Sequence, residues 1–377
     1  MNGKERPRQV NVALGERSYP VLVEAGLLER AGEVLQDICR SNRAVIVTDS
    51  RVGPLYADTA RESLQEAGYQ TDVLEFAAGE AGKNLATYAE LMHRLLSLDP
   101  PIDRRSVLVT LGGGVVSDLG GFMAATALRG IALVNLPTTL LAAVDASVGG
   151  KNGVDTPAGK NLVGTFYQPK AVLIDASCLA TLPAAEMANG LGECVKHAVI
   201  RDEGLLGFIE SHAGAILSGD QETLVELIAA NVAIKAAVVS ADERESSERA
   251  HLNLGHTLGH AIETAGGYGA IGHGQAVALG MRGACRIAVL RGRMAASQER
   301  RVVDGLAKLH LPTRFADVPG LPPAARDLAA LRRIMLRDKK VRLGRLRFVL
   351  PVGLGSAEMV DDVTDDQLAA ALAALKE

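Results

Sequence analysis

The sequence predicts an α/β N-terminal domain with a doubly wound, mostly parallel sheet, followed by an all-α C-terminal domain. Short apolar segments alternate with helix-length segments up to about residue 175, as in a parallel sheet covered on both faces. A glycine-rich turn at 112–114 joins one such strand to a helix. From 184 to about 310, helical periodicity dominates. We therefore expect two domains, 1–180 and 181–377.

The elements of the first domain follow from their apolar runs and from the turn residues between them. The predicted strands are 9–14, 19–23, 44–48, 71–76, 106–111, 131–136 and 171–175, and the predicted helices are 27–38, 55–67, 84–97 and one that opens at 115. Near the C-terminus, a helix at 326–337 precedes a hairpin at 341–350, with Gly344 and Arg345 as its two-residue turn.

Composition excludes several classes of protein. A hydrophobic content of 48% argues against disorder. A net charge of −4, with 3% aromatic residues, argues against nucleic acid or an anionic membrane as partner. The four cysteines show no CxxC spacing, which favours reduced thiols. The N-terminus has no apolar segment typical of a signal peptide, and we find no run of about 18 apolar residues. A cytoplasmic protein is expected.

The stretch 249–263 carries the most informative polar pattern. On one α-helix its spacing stacks Arg249, Asn253, His256 and His260 along a single stripe. Two imidazoles four residues apart can bind a divalent metal. A solvated helix face is the alternative interpretation, although such faces are mostly Lys and Glu.

Two further segments offer metal ligands. Glu193 lies in a predicted helix with Lys196 three residues on, and His273 begins another helix after a glycine-rich loop. One carboxylate with two histidines leaves coordination positions open, which is typical of a catalytic zinc site.

The turn at 112–114 predicts a phosphate-binding loop. Glycines between a strand and a helix let backbone N–H groups approach a pyrophosphate at the helix N-terminus. The pattern is not GxGxxG, so a glycine-rich turn that binds nothing remains the alternative.

Cations accompany these polar motifs in a protein that is acidic overall. They are Arg129, Lys151, Lys160, Lys196, Lys235, Arg249, Lys339 and Lys340. Such a set favours a polyanionic small substrate that carries phosphate and carboxylate. For the locally basic region at 326–350, the two interpretations are a small anion site and a solvated face.

Four ordered stretches carry a resemblance to a known family. They are 111–122 (LGGGVVSDLGGF), 137–151 (PTTLLAAVDASVGGK), 159–161 (GKN) and 252–260 (LNLGHTLGH). In sequence and spacing they resemble the 3-dehydroquinate synthases, within the sugar-phosphate cyclases, and the resemblance runs over nearly the whole chain. It implies a Rossmann-like NAD-binding domain followed by a helical metal- and substrate-binding domain.

The resemblance implies a role for each matching residue. Glu193, His256 and His273 match the ligands of one Zn²⁺ or Co²⁺, whereas His260 matches a catalytic histidine that is not a ligand. Substrate contacts match Arg129, Asp145, Lys151, Lys160, Asn161, Lys196, Lys235, Arg249, Asn253, His260 and one of Lys339 and Lys340. Among these, catalytic roles are expected for His260, Asn253, Lys151, Arg249, Lys196 and Lys235. Contacts to NAD match Asp49, Glu80, Lys83, Gly113, Gly114, Asp118, Thr138, Thr139, Lys151 and Lys160.

The implied activity is a lyase reaction of the shikimate pathway, which leads to chorismate and the aromatic amino acids. The heptulosonate 7-phosphate substrate would be oxidised transiently by NAD, lose phosphate by β-elimination, be reduced again and close by an aldol step to 3-dehydroquinate. A homodimer is implied, with Arg129 reaching the partner's substrate. The sequence departs from the usual pattern at Asn152, Asp155 and His197. The alternatives are therefore a sister cyclase making 2-epi-5-epi-valiolone, 2-deoxy-scyllo-inosose or aminodehydroquinate and, more remotely, a metal-dependent polyol dehydrogenase.

Overall fold

The computed structural model describes residues 7–245, 247–267, 270–336 and 346–377. The chain folds into two compact units, one of residues 1–182 with 224–244 and one of 183–223 with 245–377. The segment 224–244, which the sequence places in the second domain, thus groups with the first unit. Its helix is apolar on nearly all sides, so helical periodicity alone does not indicate which unit buries it.

Strands and helices alternate along the first unit, as predicted. Within the described ranges its strands are β1 (Arg8–Val12), β2 (Tyr19–Glu24), β3 (Arg43–Asp49), β4 (Gln70–Phe76), β5 (Val107–Gly112), β6 (Ala132–Pro137), β7 (Lys151–Thr156), β8 (Gly159–Phe166) and β9 (Ala171–Asp175). Seven of them form a sheet in the order β1-β2-β9-β6-β5-β3-β4, in which β1 pairs antiparallel and the other neighbours pair parallel. The prediction of a mostly parallel sheet is confirmed.

Helices complete both units. Within the described ranges they are α1 (Ala31–Ile38), α2 (Gly53–Glu66), α3 (Leu85–Leu96), α4 (Gly114–Thr126), α5 (Ala184–Arg201), α6 (Glu203–Ser218), α7 (Gln221–Ala241), α8 (His256–Gly266), α9 (His273–Leu290), α10 (Ala296–Lys308), α11 (Leu328–Met335) and α12 (Asp365–Ala374). One core cluster joins the sheet to Leu35 of α1 and Leu64 of α2, and another joins it to Leu91 of α3 and Leu119 of α4. The sheet is therefore covered on both faces, which confirms the doubly wound class.

The hairpin of β7 and β8 is a feature that the sequence did not predict. Its strands pair antiparallel, and Gly153 lies opposite Gly164. A Cβ atom at Gly153 would lie 2.7 Å from the carbonyl oxygen of Val163, so the backbones approach too closely for a side chain there. Glycine-rich strands lack the alternation of apolar and polar residues that identifies a strand in sequence.

Where the structure describes it, the second unit is helical, as predicted, apart from one small hairpin. Its strands are β10 (Phe348–Pro351) and β11 (Ala357–Val360). The sequence had placed β10 in a hairpin with 341–343, but residues 341–345 lie outside the described residues. Among the described residues, β10 pairs with β11.

The prediction of one helix over 249–263 is wrong. A 3-10 turn spans Glu248–Asn253, Gly255 adopts a left-handed φ of 78°, and α8 begins only at His256. A Cβ atom at Gly255 would lie 2.7 Å from the carbonyl oxygen of Val277 on α9. The close approach of the two backbones breaks the helix, so Arg249 and Asn253 do not share a helical stripe with the histidines.

The helix α7 is, among the described residues, long and apolar enough to cross a membrane, with a mean hydropathy of 1.8. No such stretch was expected from the sequence. Half of the apolar stretch of this helix is buried inside the protein, and Lys235 on the helix pairs with Asp145. Those features are typical of the core helix of a globular unit.

Candidate active site

Three side chains of the second unit form a cluster that could hold a metal ion. One ligand atom from each of Glu193, His256 and His273 lies within 4.8 Å of the others. Glu193 Oε1 is 3.5 Å from His256 Nε2 and 3.2 Å from His273 Nε2. The helices α5, α8 and α9 each contribute one of these side chains, and zinc and cobalt accept both carboxylate and imidazole ligands.

Glu193 is a buried, ionised carboxylate. Its side chain has 0% exposure and contacts the ammonium group of Lys196 one turn along α5. Burial favours the neutral acid, but the ammonium group of Lys196 and the ring of His273 outweigh burial and hold the pKa of Glu193 well below its usual range. Negative charge is thus fixed where a cation would bind.

The two histidines turn the same ring nitrogen toward Glu193. His256 Nδ1 lies 3.1 Å from the carbonyl oxygen of Leu254, which can only accept, so this nitrogen carries the proton and Nε2 keeps its lone pair. Burial holds the pKa of His256 well below 6.5, which keeps the ring neutral. His273 Nδ1 lies 3.7 Å from Glu263 Oε2. The donor set therefore fits a divalent ion.

The pKa of His273 is shifted in the opposite direction, to about 9. Burial lowers it, but the carboxylates of Glu193 and Glu263 stabilise the charged ring more strongly. The same pair of carboxylates would attract a metal cation. Glu263 was not predicted, although it lies seven residues after His256, on the same face of α8.

Further predicted residues of the second unit lie near this cluster or on the turn before α8. The ring of His260 stands beside the cluster, 5.1 Å from that of His256 and 5.8 Å from that of His273 between centroids. Arg249 is 1% exposed, and Asn253 Nδ2 donates to Glu245 Oε1 at 3.2 Å. Lys339 and Lys340 lie outside the described residues.

The glycine turn of the first unit has the form that a pyrophosphate requires. It joins the end of β5 to the first residue of α4, Gly114. A Cβ atom at Gly113 would lie 3.1 Å from Thr139 Cγ2. The hydroxyl of Thr138 is buried and has no hydrogen-bond partner among the described residues. An unpartnered hydroxyl beside the N-terminus of α4 fits a nucleotide phosphate.

A lysine and its carboxylates lie in the same unit. Lys83 is 4% exposed, and its Nζ lies 3.1 Å from Asp118 Oδ2, 3.3 Å from Glu80 Oε1 and 3.9 Å from Asp155 Oδ1. Burial lowers the pKa of Lys83, but the three carboxylates raise it by more, so the pKa lies above the usual 10.5. Burial raises the pKa of Asp118 to about 6. Three of these four side chains were predicted to contact NAD, and Asp155 was not.

Asp49 ends β3 and is fixed by the loop that follows. Its Oδ1 accepts hydrogen bonds from the backbone N–H groups of Arg51 and Val52, at 2.9 and 3.0 Å. A carboxylate at the carboxyl end of a parallel strand is where doubly wound folds meet the ribose of a dinucleotide. Together with the glycine turn, Asp49 indicates that the first unit fits NAD.

The predicted substrate residues of the first unit lie on irregular or short elements. Asp145, on a single π-helical turn, pairs with Lys235 of α7. Lys151 begins β7, and Lys160 Nζ lies 3.6 Å from Glu80 Oε1. Arg129 is exposed and has a positive φ of 68°. Such outliers of non-glycine residues cluster at functional sites.

Two of the three departures from the family pattern, Asn152 and Asp155, make hydrogen bonds that explain them. Asn152 Nδ2 donates to the carbonyls of Gly150 and Tyr167, at 3.0 and 2.9 Å, and so closes the base of the hairpin. His197 is fully buried on α5. Asp155 lies 3.9 Å from Lys83 Nζ and accepts a hydrogen bond from the N–H of Asn161.

Comparison with known proteins covers nearly the whole chain. A family model described as the 3-dehydroquinate synthase N-terminal domain matches residues 73–189, and the corresponding C-terminal model matches 190–341. A 3-dehydroquinate synthase of Citrifermentans bemidjiense is 44% identical over 93% of this chain and 94% of its own. The enzyme of Symbiobacterium thermophilum is 44% identical over 96% of this chain and 99% of its own.

Solved structures of other proteins share the fold of this chain, and two of them contain NAD⁺ and a metal ion. A 2-epi-5-epi-valiolone synthase of Streptomyces hygroscopicus, with NAD⁺ and Zn²⁺ bound, superimposes with a TM-score of 0.84 at 30% identity, over 96% of this chain and 98% of that one. A 2-deoxy-scyllo-inosose synthase with carbaglucose-6-phosphate, NAD⁺ and Co²⁺ gives 0.84 at 28% identity, over the same shares. A glycerol dehydrogenase of Schizosaccharomyces pombe, at 17% identity and a TM-score of 0.66 over 93% of this chain and 87% of that one, shares the fold.

Proposed function

The chain belongs to the 3-dehydroquinate synthase family of NAD- and metal-dependent enzymes, and from this premise we propose how its own residues divide the work. The reaction is the conversion of 3-deoxy-D-arabino-heptulosonate 7-phosphate to 3-dehydroquinate and phosphate. The observation that carries the proposal is the buried carboxylate of Glu193, which faces Nε2 of both His256 and His273. This arrangement supports Glu193, His256 and His273 as the ligands of one Zn²⁺ or Co²⁺.

NAD, when bound, would supply the oxidation and re-reduction of the substrate, and a divalent ion held by Glu193, His256 and His273 would supply Lewis-acid polarisation of a substrate oxygen. The chain's own residues bind and orient. Arg249 and Lys196 place buried positive charge in the second unit for an anionic substrate group. His260 can accept and return a proton beside the ligand cluster.

In the first unit, some residues contact the cofactor and others contact the substrate. Asp49, Lys83, Asp118 and the glycine turn, with Thr138, hold NAD. The remaining assignments follow the family pattern: Glu80 and Thr139 face NAD, Asp145, Asn161, Lys235 and Asn253 face the substrate, and Lys151 and Lys160 serve both. One of Lys339 and Lys340 adds a substrate cation.

Assembly and compartment belong to the same proposal. Arg129 is exposed and held at a positive φ, which suits a side chain that reaches the substrate of a partner subunit in a homodimer. The soluble character of this biosynthetic family, with the free and buried state of the four cysteines, supports a cytoplasmic enzyme.

Sister cyclases are the second candidate because two of the solved neighbours make other cyclic products. Identity to those proteins is 30% and 28%, against 44% to the two synthases described above. The contrast favours 3-dehydroquinate as the product of this chain.

The test is product identification. The protein with NAD⁺ and Zn²⁺ is incubated with the heptulosonate phosphate and, separately, with glucose 6-phosphate, whose carba-analogue is bound by the scyllo-inosose synthase. We expect phosphate release and 3-dehydroquinate from the first substrate alone, with no net NADH. Cyclisation of glucose 6-phosphate instead would identify a sister cyclase, and net accumulation of NADH would identify a dehydrogenase.

A further inference from the structure

Asp155 joins three segments of the first unit at one point. It is the next-to-last residue of β7, and its backbone N–H donates to the carbonyl oxygen of Lys83 at 2.8 Å. Its Oδ1 accepts a hydrogen bond from the N–H of Asn161 at 2.8 Å and lies 3.9 Å from Lys83 Nζ. One carboxylate oxygen thus faces a proposed NAD contact and a proposed substrate contact.

Toward Asn161, the contribution of Asp155 is geometric. Asn161 has a φ of 52°, in the left-handed region that is unfavourable for residues other than glycine. The hydrogen bond from its N–H to Asp155 holds the residue in that conformation at the start of β8. Lys160, which precedes it, has an exposed side chain whose Nζ lies 3.6 Å from Glu80 Oε1, so the anchor at Asn161 acts on the backbone of this pair.

Toward Lys83, the contribution of Asp155 is charge. Asp118 and Glu80 lie closer to Lys83 Nζ, at 3.1 and 3.3 Å, and they hold the ammonium group in place without a third partner. Asp155, with 19% of its side chain exposed, adds a negative charge 3.9 Å away. That charge opposes the approach of an anionic cofactor to Lys83.

We propose that Asp155 is a positioning residue that holds Lys160 and Asn161 in their substrate-binding conformation and at the same time weakens NAD binding at Lys83. The inference rests on the proposed function, because it takes Lys83 as a cofactor contact and Asn161 as a substrate contact. The two effects can be separated because an amide oxygen replaces the acceptor of a carboxylate but not its charge.

Two substitutions separate the effects. Asp155→Asn keeps an oxygen acceptor for the N–H of Asn161 and removes the charge, whereas Asp155→Ala removes both. Asp37→Asn is the matched control, since it removes one negative charge from the exposed face of α1. NAD affinity is measured by isothermal titration calorimetry at low and high salt, and the KM for the heptulosonate phosphate is measured by phosphate release.

We expect Asp155→Asn to bind NAD about two- to fivefold more tightly at low salt, a gain that shrinks at high salt as for other partly exposed charges. Asp155→Ala should gain less, because it also releases Lys160, which is itself a proposed NAD contact. Asp155→Asn should leave KM within error of the wild type, whereas Asp155→Ala should raise KM about five- to tenfold, the value of one lost hydrogen bond. Backbone amide exchange of 159–163 should be faster in Asp155→Ala than in Asp155→Asn. Asp37→Asn should match the wild type throughout.

Unchanged NAD affinity in Asp155→Asn would overturn the inference, and so would equal KM values and exchange rates in the two Asp155 variants. Asp155→Asn is nearly isosteric, so its NAD measurement decides the charge effect even where Asp155→Ala does not fold. A wild type that binds no NAD would instead overturn the proposed function, on which this inference rests.

Discussion

At the scale of single residues, Glu193 determines whether the second unit can hold a metal ion. Loss of an outer-shell partner alone typically lowers metal affinity by about 10- to 100-fold. Glu193→Gln removes a charged ligand itself, so we expect Zn²⁺ affinity to fall by more than about 100-fold. Competition with a chromophoric chelator measures it.

A matched control for this substitution lies on the same helix. Glu186, in the first turn of α5, is exposed and pairs with Asn189. Glu186→Gln should bind Zn²⁺ as the wild type does. Equal affinity of Glu193→Gln and Glu186→Gln would remove Glu193 from the ligand set.

Asp317 makes a pH-dependent contribution to the stability of the second unit. It accepts from the N–H groups of Thr313 and Arg314 and from the guanidinium of Arg314. Burial raises its pKa, but these partners outweigh burial and lower it from 3.8. Because the folded pKa is depressed, the contribution is complete above the unfolded pKa and is lost as pH falls through the folded one.

We therefore expect Asp317→Asn to lower the free energy of unfolding by about 1–2 kcal/mol at pH 7. The difference from the wild type should shrink as pH falls from about 4, near the unfolded pKa, through the lower folded pKa at which Asp317 becomes neutral. Urea titrations at the two pH values measure it. A difference that stays constant with pH would show that the charge of Asp317 contributes nothing.

At the scale of elements, the break before α8 depends on Gly255. An alanine there would be strained at a φ of 78°, and its Cβ would lie 2.7 Å from the carbonyl oxygen of Val277. A left-handed non-glycine residue costs about 1–3 kcal/mol, and the close approach adds to this cost. We expect Gly255→Ala to lower the free energy of unfolding by more than about 3 kcal/mol and to weaken metal binding through His256.

Gly292→Ala isolates the conformational part of this cost. Gly292 also has a positive φ, of 66°, but no atom lies within 4 Å of a Cβ atom built there. Gly292→Ala should therefore lower the free energy of unfolding by only about 1 kcal/mol. If the two variants unfold at the same denaturant concentration, the approach of α8 to α9 does not require glycine.

Elements with strong periodicity could be predicted from the sequence, and those determined by tertiary contacts could not. Buried strands such as β3 and β5 were found because their apolar runs are continuous. The break at Gly255 was missed, since the spacing of 249, 253, 256 and 260 satisfies a helix and only the neighbouring α9 excludes it. Glu263 and Asp155 were missed for the same reason, because their partners come from other segments.

At the scale of the whole molecule, the residues proposed to bind the metal and those proposed to bind NAD belong to different units. The candidate metal ligands lie in the second unit, and the glycine turn with Lys83 and Asp118 lies in the first. We expect treatment with EDTA to abolish conversion of the heptulosonate phosphate, whereas binding of NAD⁺ measured by calorimetry persists. Added Zn²⁺ or Co²⁺ should restore turnover.

Metal should also stabilise the unit that binds it. Free Zn²⁺ at 100 times its Kd adds about 2.7 kcal/mol to the free energy of unfolding of a state that alone binds it. The metal-free protein should therefore unfold at lower urea than the loaded one, and Glu193→Gln should unfold at the same urea concentration with and without Zn²⁺. Full turnover in metal-stripped protein, or the same Zn²⁺ stabilisation in Glu193→Gln as in the wild type, would contradict the assignment of the metal to Glu193, His256 and His273.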